Sequence, residues 1–136
     1  MRRHLRSRCR DENGQSLLET AVMIPVIFTV VFWVFELSWL LFTYVVLSNA
    51  ANEGVRYSIV HSGGDPSGAQ TIVRGFAATA LHDISAISIL VTFPDGNATP
   101  PNRVRVAVTY TFVPYLSNFI NTPTVQTWAE GRMVVQ

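Results

Sequence analysis

The sequence predicts an α+β chain: a long N-terminal transmembrane helix running on into a small domain with a second helix and a three-stranded antiparallel sheet. Three observations predict it. From Leu17 to Leu47 the chain is almost wholly apolar, with Glu19 and Glu36 its only acids and no Arg or His. Beyond that run, Tyr44, Ser48, Ala51, Val55 and Ile59 recur at helical spacing, while Asn49, Asn52, Glu53 and Arg56 lie toward another face. Past residue 86 the period switches to two, in three stretches separated by turn residues.

The first helix follows from length. At about 1.5 Å per residue, the segment from Leu17 to Leu47 makes a helix roughly 45 Å long, whereas the hydrocarbon core of a bilayer is only about 30 Å thick. The helix therefore crosses a membrane and continues beyond it. Pro25 removes one backbone hydrogen bond and predicts a kink or loosened turn near residues 22 to 25. Gly63, Gly64, Asp65 and Pro66 end the helix. Ser67 caps a second helix through His82, with Ile72, Val73, Phe76, Ala80 and Leu81 as its apolar stripe.

The strands come next. Ile87 to Phe93 forms the first, followed by a turn at Pro94-Asp95-Gly96-Asn97. From Arg103 to Val113 the chain alternates, with Val104, Val106, Val108, Tyr110 and Phe112 on one face. A loop holding Asn118, Asn121 and Pro123 leads to a third strand, Val125 to Val135, with Gly131 as a bulge. Three regions result: a basic leader at 1–14, a transmembrane and projecting helix at 15–62, and an α+β domain at 63–136.

Charge sets the orientation. The chain of 136 residues carries a formal +1, and all ten basic side chains are Arg. Arg2, Arg3, Arg6, Arg8 and Arg10 precede the apolar run, leaving five Arg against nine acids in the remainder, a net of −4. This excess predicts the N-terminus in the cytoplasm and the C-terminal domain in the periplasm, with the helix in the bacterial inner membrane. It does not support a basic patch for nucleic acid. Cys9 is the single cysteine, so no intramolecular disulfide forms.

The leader and apolar run, Gly14-Gln15-Ser16-Leu17-Leu18-Glu19, admit three readings. A removable secretory signal has an apolar core of about 7 to 15 residues before a small-residue cleavage site. This run is about twice as long, although Ser48 to Ala50 imitates such a site. An uncleaved anchor explains the hydrophobicity and the Arg flank but gives Glu19 no role. The third reading is a type IV pilin-like precursor, which the segment resembles. That resemblance implies cleavage after Gly14 by a prepilin peptidase, with Gln15 as the new N-terminus. A glycine suits a narrow cleft because it lacks Cβ.

A carboxylate inside a bilayer costs about 2.5 to 3.5 kcal/mol on insertion scales; near the end of the run Glu19 either reaches the headgroup zone or faces a partner. In the pilin-like picture that partner is the N-terminal amine of a neighbouring subunit, so Glu19 sets axial register more than it adds stability. Glu36 has two readings. It is an acid near the outer interface, beside an aromatic belt of Trp33, Trp39 and Tyr44, or a contact with another pilin subunit or an assembly protein.

Asn49-Ala50-Ala51-Asn52-Glu53-Gly54-Val55-Arg56-Tyr57 narrows the resemblance. With the Gly14 to Glu19 pattern and the acid at Glu36, it resembles the TadE-like family, minor pilins (pseudopilins) of the Tad, or Flp, type IV pilus system. Asn52, Glu53, Gly54 and Arg56 carry the motif. Val55 stands where the family has Ala, and Thr20 where it commonly has Phe or Tyr. The resemblance implies a part in assembling an adhesive pilus. It implies as partners a prepilin peptidase, other minor pilins, the major Flp pilin and the Tad platform proteins.

No catalytic constellation competes with this reading. His4, His61 and His82 lack metal-ligand spacing. Gly63-Gly64 is followed by Asp-Pro rather than a Lys-bearing helix start. No Ser or Cys has an identifiable base and orienting acid. The expectation is a non-enzymatic protein without a cofactor. The alternative is an uncleaved, membrane-anchored binding module displaying an α+β domain in the cell envelope.

Overall fold

The computed structural model describes residues 5–61, 66–81, 83–115 and 121–134, and side chains from residue 14 onward. His4, residues 63–65, His82, Asn118 and Val135 lie outside the described residues. The elements are α1 (Leu5–Val60), α2 (Pro66–Ala78), β1 (Ile87–Thr92), β2 (Arg103–Thr111) and β3 (Thr124–Arg132). This is the predicted α+β architecture. The chain forms two compact units, Met1–Ser38 and Trp39–Gln136.

In the first unit the large apolar side chains of α1 are exposed from Leu17 at 72% to Phe35 at 68%. The stretch Gly14–Val60 includes a window long and apolar enough to cross a membrane, none of it buried by the protein itself. The helix runs through Pro25 without interruption. Hydrophilic side chains along α1 turn back on its own backbone. Thr20 donates to the Ser16 carbonyl at 2.9 Å, Thr29 to Pro25 at 2.8 Å, Ser38 to Val34 at 2.8 Å and Thr43 to Trp39 at 2.9 Å. In hydrocarbon no water satisfies a hydroxyl, so bonding to the i−4 carbonyl lets these residues sit in an apolar helix.

The second unit begins where α1 starts to be buried. Thr43, Leu47, Ala50 and Ala51 are fully buried and Val55 nearly so, whereas Tyr44 is 49% exposed. The buried face therefore centres on residues 43, 47, 50, 51, 54 and 55, one position away from the predicted Tyr44 and Ser48. A helix face is a stripe of i, i+3 and i+4 neighbours. Ala51 and Val55 of the predicted set lie on the buried stripe, and Ile59 packs against the core, so only its first two members are displaced.

The helix α2 starts at Pro66, one residue earlier than predicted. Proline is tolerated there because a first-turn N–H has no helical partner. It ends at Ala78, short of His82, and the Leu81 N–H still reaches the Ala77 carbonyl at 2.9 Å. Its buried residues are Ala69, Val73 and Ala77. Ile72 and Phe76, predicted for the stripe, are 36% and 41% exposed. The small residues face inward because α2 lies very close to α1. A Cβ on Gly54 of α1 would stand 2.5 Å from Val73 Cγ2, and one on Gly68 of α2 would stand 2.5 Å from Tyr57 Cε1.

The sheet is a meander in the order β1-β2-β3, both pairs antiparallel. Val104, Val106 and Val108 are fully buried, with Tyr110 at 9% and Phe112 at 2%. The predicted face of the second strand is the core. The ladder closes earlier than predicted, at Thr92, Thr111 and Arg132. Beyond β2 the Phe112 N–H still donates to the Pro123 carbonyl at 3.0 Å. Gly131 is not a bulge, because it pairs with Val104 in an unbroken register. Its role is close approach: a Cβ there would stand 2.6 Å from both Val55 Cγ1 and Ile59 Cδ1 of α1. Among the described residues, every buried side-chain N and O atom has a hydrogen-bond partner.

Candidate functional site

Two segments of α1 hold the predicted site residues, one in each compact unit. In the first unit, Gly14, Gln15 and Glu19 are all exposed. Gln15, Leu18, Glu19, Val22 and Met23 line one shallow surface on the helix. Such a surface offers a single carboxylate beside the Gln15 amide on an otherwise apolar face. It can pair with a cation brought by another chain, but it encloses nothing.

Gly14 lies inside α1, nine residues after its first residue, Leu5. A Cβ at Gly14 would meet nothing within 4 Å. Glycine in a helix interior costs about 1 kcal/mol relative to alanine. The helix is thus locally weakened at this position. Glu36 is half-buried, one turn before Leu40.

In the second unit the motif separates into an outward and an inward part. The Asn52 amide donates to the Ser48 carbonyl at 3.0 Å and stays exposed. Arg56 Nη1 and Glu53 Oε2 are 3.8 Å apart, with side chains 80% and 44% exposed. A surface pair at i,i+3 contributes only a few tenths of a kcal/mol. Gly54 is the inward member. It is buried against α2 on one side, and its missing Cβ would also stand 3.4 Å from Val106 Cγ1 of β2. It marks the point where α1, α2 and the sheet meet. The motif therefore combines a packing glycine with three polar residues outside it.

Sequence reasoning missed a polar network on the outer face of the sheet. Asp95 appears in the sequence as a lone turn acid, at a turn where Gly96 takes φ +96° and its N–H meets the Phe93 carbonyl at 3.0 Å. Its carboxylate accepts from the Arg103 backbone N–H at 2.8 Å, from Nε at 3.2 Å and from Nη2 at 2.9 Å. Arg103 also reaches Glu130 at 3.0 Å, and Arg105 donates to the same carboxylate at 3.0 and 2.8 Å. The Arg105 guanidinium lies 4.8 Å from the Trp128 ring centroid. The signal that finds this network is register, since Arg105 pairs directly with Glu130 across β2 and β3.

Hydrogen bonding from the Arg103 side chain, with its backbone N–H, pulls the Asp95 carboxyl down from 3.8 to about 2. The Arg105 hydrogen bond likewise holds Glu130 below its ordinary value. Both acids are depressed, so their contribution to stability is present at neutral pH and lost as pH falls through their folded values. For Asp95 that window runs from about pH 4 down to about pH 2. Asp95→Asn is expected to lower the thermal midpoint at neutral pH and to flatten its fall across that window. Circular dichroism melts at stepped pH check both.

The family model described as TadE-like protein matches residues 14–56. No curated protein and no solved structure matches the chain. The matched segment runs from Gly14 at the leader boundary through Glu19 and Glu36 to Arg56 of the motif. It covers both places where α1 carries predicted site residues, and over that segment the chain is similar to the TadE-like family, as the sequence resemblance implies.

Proposed function

We propose that this protein is a minor pilin (pseudopilin) that takes part in assembling a Tad/Flp-type adhesive pilus after a prepilin peptidase cuts between Gly14 and Gln15. The observation that carries the reading is the TadE-like match over residues 14–56, lying on a helix whose membrane-crossing window the protein itself leaves uncovered. An apolar helix of this kind needs lipid before assembly and neighbouring helices after it. A pilin subunit requires both states of one segment. On this reading the leader lies in the cytoplasm and the C-terminal domain in the periplasm, the orientation that an N-terminal Arg cluster favours. The partners on this reading are other minor pilins, the major Flp pilin and the Tad platform proteins.

Cleavage at Ser48 to Ala50 fits the packing poorly. Ala50 and Ala51 are fully buried in the C-terminal core, and a cut there would sever α1 inside the unit it holds together. An uncleaved anchor carrying a binding domain accommodates the same helix but assigns no role to Glu19. Gly14→Ala separates the readings. The added methyl meets nothing in the folded chain and favours the local helix by about 1 kcal/mol. Folding is therefore retained, while entry into a narrow protease cleft is not. The expected result is accumulation of full-length precursor in cells with an active peptidase, seen as a slower band than the mature wild type. Equal processing of both proteins would overturn the assignment of the cut.

A further inference from the structure

The transition from exposed to packed helix occurs at Trp39. Residues 17–39 form the exposed apolar stretch of α1, and at about 1.5 Å per residue they span roughly 35 Å. That slightly exceeds the bilayer core of about 30 Å. With Leu17 at the inner margin, Trp39 reaches the outer interface. From Leu40 onward α1 is increasingly covered by its own domain, and Thr43 is fully buried.

A cleft of about 290 Å³ opens beside Trp39, and its walls include Tyr110, Val113 and Tyr115. The segment after β2 presents these residues in a fixed alternation. Phe112 and Pro114 are buried, while Val113 and Tyr115 are 62% and 83% exposed. Phe112 is tied by its N–H to Pro123, and the Pro114 ring restricts φ to near −65°. Two outward side chains are thus held in place by two inward ones. Phe42, 45% exposed, stacks on Trp39 at 5.5 Å between centroids. The cleft's charged wall residue is an acid, Asp83, whose carboxylate accepts the Ser85 N–H at 2.8 Å.

We propose that Val113 and Tyr115, with Trp39 and Phe42, form an interfacial foot that sits at headgroup depth in the bilayer crossed by α1. Tyr and Trp favour that zone because an apolar ring and a polar tip are both accommodated there. Among the described residues the cleft's walls carry a carboxylate and no cation, so the contact is apolar and does not require anionic lipid. It is continuous along the chain with the membrane-crossing stretch, which makes lipid the occupant rather than a soluble ligand. The foot holds the domain at the membrane surface before the subunit leaves the bilayer.

The proposal rests on α1 spanning a membrane, and its test separates the two claims. Full-length protein carrying Cys9→Ser is reconstituted in phosphatidylcholine vesicles with an environment-sensitive fluorophore on a single cysteine at Val113→Cys, Tyr115→Cys, Gln126→Cys or Val31→Cys. Lipids spin-labelled on the headgroup or acyl chain, and an aqueous ionic quencher, report depth. The expected result is acyl-chain quenching at 31, headgroup quenching at 113 and 115, and aqueous quenching at 126. Headgroup quenching at 113 and 115 should exceed that at 126 several-fold and persist without anionic lipid. Aqueous behaviour at 113 and 115, with 31 in the acyl region, overturns the foot alone. Aqueous behaviour at 31 overturns the membrane span and the foot with it. Protection of 113 and 115 that rises with protein density assigns the face to a second copy and also overturns the lipid contact.

Discussion

Replacing Gly54 with leucine is expected to unfold the C-terminal unit, whereas Gly54→Ala should leave it folded but weakened. The two substitutions test one geometry. The first side-chain carbon at this position stands 2.5 Å from Val73 Cγ2 and 3.4 Å from Val106 Cγ1. Alanine gains about 1 kcal/mol of helix propensity over glycine. Against that, forcing a methyl into a packed junction costs about 1 to 3 kcal/mol. The second effect wins by about 1 kcal/mol, which in a domain of this size lowers the melting temperature by roughly 4 to 8 °C. Leucine adds three further carbons between a helix and a sheet that are both already in contact, and no rotamer escapes both.

Because Val73 Cγ2 is the nearest atom, Val73→Ala should relieve part of the Gly54→Ala cost. The double mutant should therefore be more stable than the sum of the two single effects, by about 0.5 kcal/mol or more. Thermal melts of the four proteins in detergent check this. An additive cycle would contradict the packing role assigned to Gly54.

Glu19→Ala is expected to leave the fold, membrane insertion and cleavage intact but to reduce incorporation into pili at least tenfold. Glu19 is exposed and lies outside the C-terminal core, so its removal costs the monomer nothing in packing. Near the end of the span the charge also costs less to insert than the 2.5 to 3.5 kcal/mol or so estimated for the bilayer centre. What the mutation removes appears only on assembly. There, a carboxylate between apolar helices is stable when it meets an opposite charge, and costly when register misplaces it. A tenfold loss corresponds to about 1.4 kcal/mol, well within the range for breaking a partly buried pair. Glu19→Gln should fail similarly, since shape is kept and charge is lost. Immunoblots of sheared pilus fractions against membrane fractions measure the partition. Undiminished incorporation of both variants would contradict the register role assigned to Glu19.

Legibility in the sequence followed physical period. The alternation from Val104 to Phe112 was readable because a strand with one buried face repeats every two residues. Its five inward side chains all lie in the core. The division of α1 was not readable. A residue that faces lipid and one that faces the domain core are equally apolar, so Phe35 and Leu47 look alike in sequence. One is 68% exposed and the other fully buried. The stripe of α2 misled for the opposite reason. Val73 and Leu81 were read correctly as core, but large Ile72 and Phe76 drew attention from Ala69 and Ala77, the small residues that the close approach at Gly54 and Gly68 demands.

Glycine carried the same ambiguity in the sheet. At Gly131 the absent side chain makes room for Val55 and Ile59 without interrupting the ladder. The Asp95 network depends on register between segments far apart in sequence, which no local pattern encodes. In the candidate site, the types of residue were legible, and so was the family resemblance. The inward role of Gly54 within its motif was not, because it depends on where α2 packs.

The identity of the N-terminal residue in the mature protein tests the central claim most directly. The protein is extracted from membranes of cells with an active prepilin peptidase and subjected to N-terminal sequencing and intact mass measurement. The account predicts Gln15, free or methylated, with the rest of the chain intact. Finding Met1 would mean that the leader is retained and the protein is an anchor. Finding Ala51 would mean that α1 is discarded as a secretory signal. Either result would contradict the account.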